Sequence, residues 1–363
     1  MGFRCGIVGL PNVGKSTIFN ALTTAGAEVA SYPFCTIEPN VGIVPVPDAR
    51  LDTLARLINP KKVTPTTLEF FDIAGLVKGA NKGEGLGNQF LAHIRTVDAI
   101  AHVVRCFADG EIAHTYGTID SRRDVEIVDT ELILADLEMV DRRLEKLNRL
   151  LRLGEKETEE ESRLLAGIKE VLEKGERAEI VTQTAGKTLP PDLHLLTSKP
   201  MFYVANVDEP GAEEGNHYVR NLRELSQAKG VQVVIIAGKL EAEIAQLKRG
   251  EREEFRQALG LEDSGLERLI QVGYDILGLV TFFTTVSQDL RAWTVPQGTQ
   301  ALQAAGRIHS DMERGFIKAE VISYDDFISS GSEHDAKEKG LLKIEGKDYV
   351  VQDGDIVHFR FNV

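Results

Sequence analysis

Residues Gly9 to Thr17 read GLPNVGKST, between the apolar run Phe3 to Val8 and the apolar residues Ile18, Phe19 and Leu22. That is the strand, glycine loop and helix order of a P-loop. Gly9 and Gly14 let the backbone curl so that successive N–H groups face phosphate oxygens, where a side chain would block the approach. The helix that follows adds the positive end of its dipole. Asn12, Val13, Gly14, Lys15, Ser16 and Thr17 therefore make the expected phosphate cradle. Lys15 reaches the β and γ phosphates, and the Ser16 hydroxyl completes the shell of a Mg²⁺ ion.

Composition narrows the setting. A chain of 363 residues can bury two or three cores, and 42% apolar residues is ordinary for a globular protein. No run approaches the ~18 apolar residues of a membrane span. The start, MGFRCGIVGLP, lacks a basic region leading into a long apolar stretch, so no secretory signal is expected. Cys5, Cys35 and Cys106 are scattered, with no CxxC, which argues against a disulfide framework or a zinc site. The expected compartment is the reducing cytoplasm. A net charge of −14 opposes binding nucleic acid through the whole surface, so any such contact is local.

Up to about residue 120, apolar runs at Val41 to Val46, Leu68 to Ile73 and Ala99 to Val104 suit a parallel sheet buried on both faces. Helical stretches alternate with them, one opening at Asp48 as N-cap before Leu51, Leu54, Leu57 and Ile58. The alternation predicts an α/β, doubly wound, mainly parallel sheet. Asp72 ends a strand and opens the glycine-rich stretch after Asp72-Ile73-Ala74-Gly75, where a Walker-B carboxylate holds the metal. The Gly75 N–H is placed to meet a γ-phosphate, and Thr36, in YPFCTIEPN, to cap the metal from the other side. Both loops read as switches ordered by the third phosphate. A turn aspartate is the plainer alternative for Asp72.

GLPNVGKST, YPFCTIEPN and DIAGLVKG together resemble the YchF subfamily of Obg-related P-loop hydrolases, also called Obg-like ATPases, over essentially the whole chain. The resemblance implies a nucleotide-binding P-loop NTPase domain, a helical coiled-coil insertion and a C-terminal ubiquitin-like β-grasp module, the TGS domain. It also implies an RNA or ribosomal surface as partner. Asn12 resembles the asparagine with which some related hydrolases hold K⁺, and a residue that only stabilises the turn is the plainer alternative.

Leu76 stands where Ras-like proteins place a water-orienting glutamine, and a leucine has no group for that task. His114, in ADGEIAHTYG beyond the fourth strand, is a candidate to position or deprotonate water. A surface loop histidine is the plainer reading.

Residues 121–198 interrupt the sheet pattern. Ile133, Leu137, Val140, Leu144, Leu147 and Leu151 are spaced 4, 3, 4, 3, 4, and Leu165, Ile168 and Leu172 repeat the pattern after the acidic stretch GEKETEEES. Two antiparallel helices of about 20 residues predict a finger of roughly 30 Å. Arg142, Arg143, Lys146, Arg149 and Arg152 are either a phosphate-backbone contact or a solvated face.

Sheet pattern resumes at Met201 to Val204. Asn206, Val207, Asp208 and Glu209 then occupy the place of the NKxD guanine clamp, with Glu209 one methylene too long for the bidentate pair and Val207 in place of lysine. Asn206, Val207 and Glu209 are therefore base-site candidates better suited to ATP than to a tight guanine clamp, with GTP weaker or comparable. Ala237, Gly238 and Lys239 fill the next base-contacting loop.

The domains expected are a nucleotide-binding domain over 1–120 and 199–279, a helical insertion over 121–198 and a TGS domain over 280–363. His309 and Arg307 in the last are candidates for RNA contact. The combined expectation is a slow, Mg²⁺-dependent ATP hydrolase, with Lys15, Gly75 and His114 as catalytic candidates. Ser16, Thr36 and Asp72 are the metal candidates and K⁺ a second ion. Its partner is the ribosome, or its large subunit, and RNA. It is a cytoplasmic monomer with no membrane association. A nucleotide sensor with negligible turnover is the alternative, and a small-metabolite kinase a more distant one.

Overall fold

The computed structural model describes residues 3–27, 40–73, 86–153, 158–181, 189–190, 192–261, 264–286 and 288–362, with backbone alone at 86–89 and 249. Two compact units emerge. The first comprises residues 1–44 and 69–273, the second 45–68 and 274–363.

In chain order the elements are β1 (Phe3–Val8), α1 (Lys15–Ala27), β2 (Val41–Pro45), α2 (Ala49–Ile58), β3 (Lys62–Thr64), β4 (Thr67–Asp72), α3 (Leu86–Arg95) and β5 (Ala99–Arg105). The long α4 (Ser121–Arg152) and α5 (Glu159–Glu173) follow, then β6 (Met201–Asn206), α6 (His217–Lys229), β7 (Val233–Ile236), α7 (Gly238–Ala245), α8 (Arg249–Ala258) and α9 (Gly265–Ile276). The first sheet has the order β2-β4-β1-β5-β6-β7. Strand β1 pairs parallel with β5 (Val8 beside His102), β5 with β6 (Arg105 beside Asn206) and β6 with β7 (Asn206 beside Ile236). Every residue of β5 and β6 is buried, as expected of parallel strands covered on both faces. The parallel register brings the carboxyl ends of β1, β5, β6 and β7 to one edge, where open α/β sheets bind ligands.

The finger follows the predicted seam. Ile133, Val140, Leu147, Leu165, Ile168 and Leu172 form one buried cluster, with Leu137 and Leu144 packed against it. Helix α4 begins earlier than a free arm would, because Val125, Val128 and Leu132 are buried too. At its root Asp136 is fully buried and accepts hydrogen bonds from the N–H groups of Leu196 (2.9 Å) and Thr197 (2.7 Å) and from the Thr197 hydroxyl (2.7 Å). Burial holds its carboxyl above the usual range while these donors oppose the shift.

The second unit contains a mixed sheet, order β11-β10-β12-β8-β9-β3. Its further elements are β8 (Leu279–Val286), β9 (Asp289–Pro296), α10 (Ala301–Ile308), α11 (Ser310–Arg314), β10 (Phe316–Ile322), α12 (Tyr324–Ser330), α13 (Glu333–Glu338), β11 (Lys343–Glu345) and β12 (Ile356–Phe361). Phe282 and Phe283, adjacent in β8, point to opposite faces and head separate cores. Phe282 packs with Ala301, Ala304 and Ala305 of α10, Phe283 with Leu51 and Leu54 of α2. Thus α2, expected between strands of the first sheet, packs with the C-terminal unit instead. Its N-cap is as read: Asp48 accepts from the Arg50 N–H at 2.9 Å, and Arg50 reaches Asp353 at 2.7 Å. The short β3, absent from the sequence reading, extends this second sheet beside β9.

Replacing Asp136 with alanine leaves three buried donors unanswered. We expect a loss of about 3 kcal/mol in urea unfolding, and a smaller loss for Asp136→Asn, which keeps one acceptor. A loss below about 1 kcal/mol for Asp136→Ala would show that the root is held by packing alone.

Candidate nucleotide site

The turn after β1 has the backbone its glycines permit. Asn12 has φ 61° and Gly14 φ 94°. A Cβ at Gly14 would collide with the Asn206 side-chain amide, and one at Gly9 with the Val103 carbonyl. Lys15, Ser16 and Thr17 form the first turn of α1, with Lys15 buried and the other two exposed. The Lys15 ammonium donates to the Leu10 carbonyl at 2.8 Å, spanning its own loop. Burial pushes it down to about 8, with the Asp72 carboxylate opposing. A phosphate arriving here meets an ammonium already desolvated, so its charge acts at full strength.

Ser16 donates its hydroxyl to Asp72 at 2.8 Å, joining the start of α1 to the end of β4. A hydroxyl and a carboxylate side by side are hard oxygen donors, the set that suits Mg²⁺ and would hold it here. The other expected metal residue, Thr36, lies outside the described residues, as do Gly75 and Leu76.

Asn206, at the end of β6, uses both ends of its amide within the protein. Its Nδ2 donates to the Val13 carbonyl (2.8 Å), and its Oδ1 accepts from the Gly238 N–H (3.0 Å). It therefore ties the P-loop to the first turn of α7. Val207 is buried and its N–H donates to the Ile236 carbonyl at 2.9 Å, so of its backbone groups only the carbonyl is left for a base. Glu209 is exposed and opens the 3₁₀ turn Glu209–Gly211.

Between β5 and α4 lies a loop whose order comes from an arginine that sequence reasoning missed. Arg105 is 1% exposed and donates to the carbonyls of Phe107 (3.2 Å), Asp109 (3.2 Å) and Ile112 (3.0 Å). An arginine ending a strand that is apolar but for His102 was the available signal. From the P-loop, Asn12 Nδ2 donates to the Ala113 carbonyl at 3.1 Å. The next residue, His114, faces inward: its Nε2 is 2.9 Å from Asp124, and its Nδ1 accepts the Tyr116 N–H at 3.1 Å. It is not the exposed loop histidine of the plainer reading, and both ring nitrogens are engaged in this conformation.

Asn12, Val13, Gly14, Lys15, Ser16, Asp72 and Asn206 are thus linked in one edge-of-sheet site. Three residues of the basic stripe on the finger are paired: Arg142 bonds Glu138, Arg143 reaches Glu161 and Asp192 (2.7 and 2.9 Å), and Arg149 lies 3.9 Å from Glu145. His309 caps α11, its Nδ1 accepting the Asp311 N–H at 3.1 Å.

Parallel strands ending in a P-loop, with a carboxylate beside its serine and an asparagine behind it, define a P-loop nucleoside-triphosphate-binding domain of the GTPase type. The family model described as "50S ribosome-binding GTPase" matches residues 4–149, and YchF-GTPase_C, described as a protein of unknown function, matches residues 279–362. The chain belongs to the YchF family. It is 52% identical over 366 aligned positions to the ribosome-binding ATPase YchF of Bacillus subtilis and 51% identical over 364 to that of Escherichia coli O157:H7, covering 100% of both chains in each case. The solved YchF GTPase of Schizosaccharomyces pombe superposes with a TM-score of 0.88 at 35% identity, covering 99% of this chain and 98% of that one.

Because Lys15 sits at about 8 in the free protein and phosphate contact favours its charged form, nucleotide binding takes up a proton at higher pH. Affinity for Mg·ATP is expected to fall above pH 8, by up to about tenfold per unit. In Lys15→Arg, whose cation does not titrate there, the slope should vanish. Calorimetry from pH 7 to 10 measures it, and an equal slope in both proteins would exclude Lys15 as its source.

Proposed function

We propose that this chain is an ATP hydrolase that binds the ribosome and changes its loops with the state of the γ-phosphate. The observation that carries the nucleotide half is the Ser16–Asp72 pair beside a buried Lys15, the arrangement a metal-bound triphosphate needs. The ribosome half rests on the names of its relatives, ribosome-binding ATPases in Bacillus subtilis and Escherichia coli. We take the cytoplasm as its compartment, where ribosomes are. Among the described residues no helix is long and apolar enough to cross a membrane.

In this reading water attacks the γ-phosphate in line with the leaving oxygen. Lys15 balances the charge on the β and γ oxygens, and the P-loop amides from Asn12 to Thr17 fix the tail. Ser16, Thr36 and Asp72 would hold Mg²⁺, which would supply charge neutralisation for the triphosphate. The Gly75 N–H meets the γ-phosphate, and His114 orients the water once a ring nitrogen is released. Asn12 keeps its Oδ1 for K⁺, since its Nδ2 is spent on Ala113. Turnover is slow, because Leu76 supplies no polar group.

ATP is used at least as readily as GTP. Glu209 and Val207 do not reproduce the guanine clamp, and the Val207 carbonyl suits the adenine amino group. The engagement of both His114 nitrogens favours one second reading, a nucleotide sensor with negligible turnover.

Two measurements test these choices. Calorimetric competition should give ATP an affinity at least equal to that of GTP, and a clear win for GTP reverses the base assignment. Phosphate release under saturating Mg·ATP should be slow and rise with ribosomes present. No release in either condition, in K⁺ or in Na⁺, leaves the sensor.

A further inference from the structure

We propose that Asp124 is a positioning residue that latches His114 away from the phosphates, and that the loop from Arg105 to Asp120 links this latch to the P-loop. The inference rests on the hydrolase reading above.

The pair is enclosed: the His114 side chain is 4% exposed and that of Asp124 2%. A carboxylate only accepts hydrogen bonds, so the 2.9 Å contact puts the imidazole proton on Nε2. The main-chain N–H of Tyr116 only donates, so its 3.1 Å contact needs a lone pair on Nδ1. Together these two neighbours specify the neutral Nε2–H tautomer and cover its one basic site. An imidazole held this way can neither take a proton from water nor orient it. Asp124 is itself oriented by Arg123, whose Nη2 and Nε lie 3.0 and 3.3 Å from its other oxygen.

The loop between the two sites is built rather than loose. The buried Arg105 guanidinium gathers the carbonyls of Phe107, Asp109 and Ile112 and stacks on the Phe107 ring at 4.6 Å. One residue before His114, the Ala113 carbonyl is held by Asn12 of the P-loop. Ten residues beyond His114, Asp124 belongs to α4, the helix that becomes the finger. A shift at either end therefore bears on the same histidine.

The test is single-turnover cleavage of Mg·ATP by the full chain. Asp124→Ala should cleave about fivefold faster than the parent or more, with ADP affinity within about twofold. Asp124→Asn keeps an acceptor for Nε2–H and should stay near the parental rate. His114→Ala should be slow, and His114→Ala/Asp124→Ala equally slow. A purely structural aspartate would lower stability without raising the rate. An Asp124→Ala rate at or below the parent with ADP affinity retained overturns the latch, as does a double variant as fast as Asp124→Ala.

Should Asp124→Ala fail to fold, ¹⁵N histidine spectra of the parent serve instead. His114 should be the neutral Nε2–H form without nucleotide, and its Nδ1 signal should move when Mg²⁺ and a non-hydrolysable ATP analogue are added. No movement despite binding overturns the proposal. A parent that binds no ATP in the accompanying titration removes the hydrolase reading as well, a result separable from failure of the latch alone.

Discussion

The amide of Asn206 is the tie on which the site depends. It lies at the carboxyl end of β6 and reaches Val13 on one side and Gly238 on the other, so three chain segments share one planar group. The geometry is unforgiving because Gly14 passes so close that a Cβ there would strike the same amide. At φ 94° Gly14 also lies outside the range L side chains readily adopt, so two independent constraints select glycine. With the loop fixed, the Lys15 ammonium and the Ser16 hydroxyl are presented from a rigid helix start rather than sought by a flexible chain.

A second set of ties fixes the finger, and it is made of buried charge. Helix α4 turns three aspartates inward, each toward a different segment. Asp124 meets His114, Asp129 meets Lys229 at the end of α6, and Asp136 meets Leu196 and Thr197. Such pairs are weak evidence for stability, because desolvation offsets much of their attraction. They are strong selectors of register: sliding α4 by one turn would strand three carboxylates among apolar side chains. His102 and Tyr203, cross-strand neighbours beside this cluster, stay uncharged; burial pushes His102 down to about 4 and the Tyr203 hydroxyl up. The helix that becomes the finger is thereby set rigidly into the nucleotide unit.

What could be read from sequence divides along the range of the interaction. The P-loop was legible because strand, glycines, lysine and helix lie within 20 residues and each has a local reason. The finger was legible because a spacing of 4 and 3 states both the helix and the face it buries. Helix α2 shows the limit: Asp48 and the stripe Leu51, Leu54 announce a helix, yet nothing in them says that Phe283 and Leu290 cover it. Arg105 and Asp124 were missed for the same reason, since their partners are backbone carbonyls and a histidine that only the folded loop brings near. Val207 is a base-site candidate from sequence, but the loss of its N–H to Ile236 depends on a strand paired from 29 residues away.

The charge pattern of the finger bears on how a polyanionic partner could be met. The chain carries −14 overall, and three of the five basic residues on the stripe are already engaged by glutamates or an aspartate. Exposed pairs of this kind contribute about 0–1 kcal/mol each, so exchanging a carboxylate for a phosphate on Arg142 or Arg149 costs little at contact. The opposing term is the long-range repulsion of the whole acidic surface, which salt screens beyond a Debye length of about 8 Å. Because the contact gain is local and the repulsion distant, added salt weakens the first and relieves the second. An interface on this stripe should therefore tolerate salt better than the uniformly basic face of a nonspecific nucleic-acid binder, and its selectivity must come from shape along α4 rather than from charge.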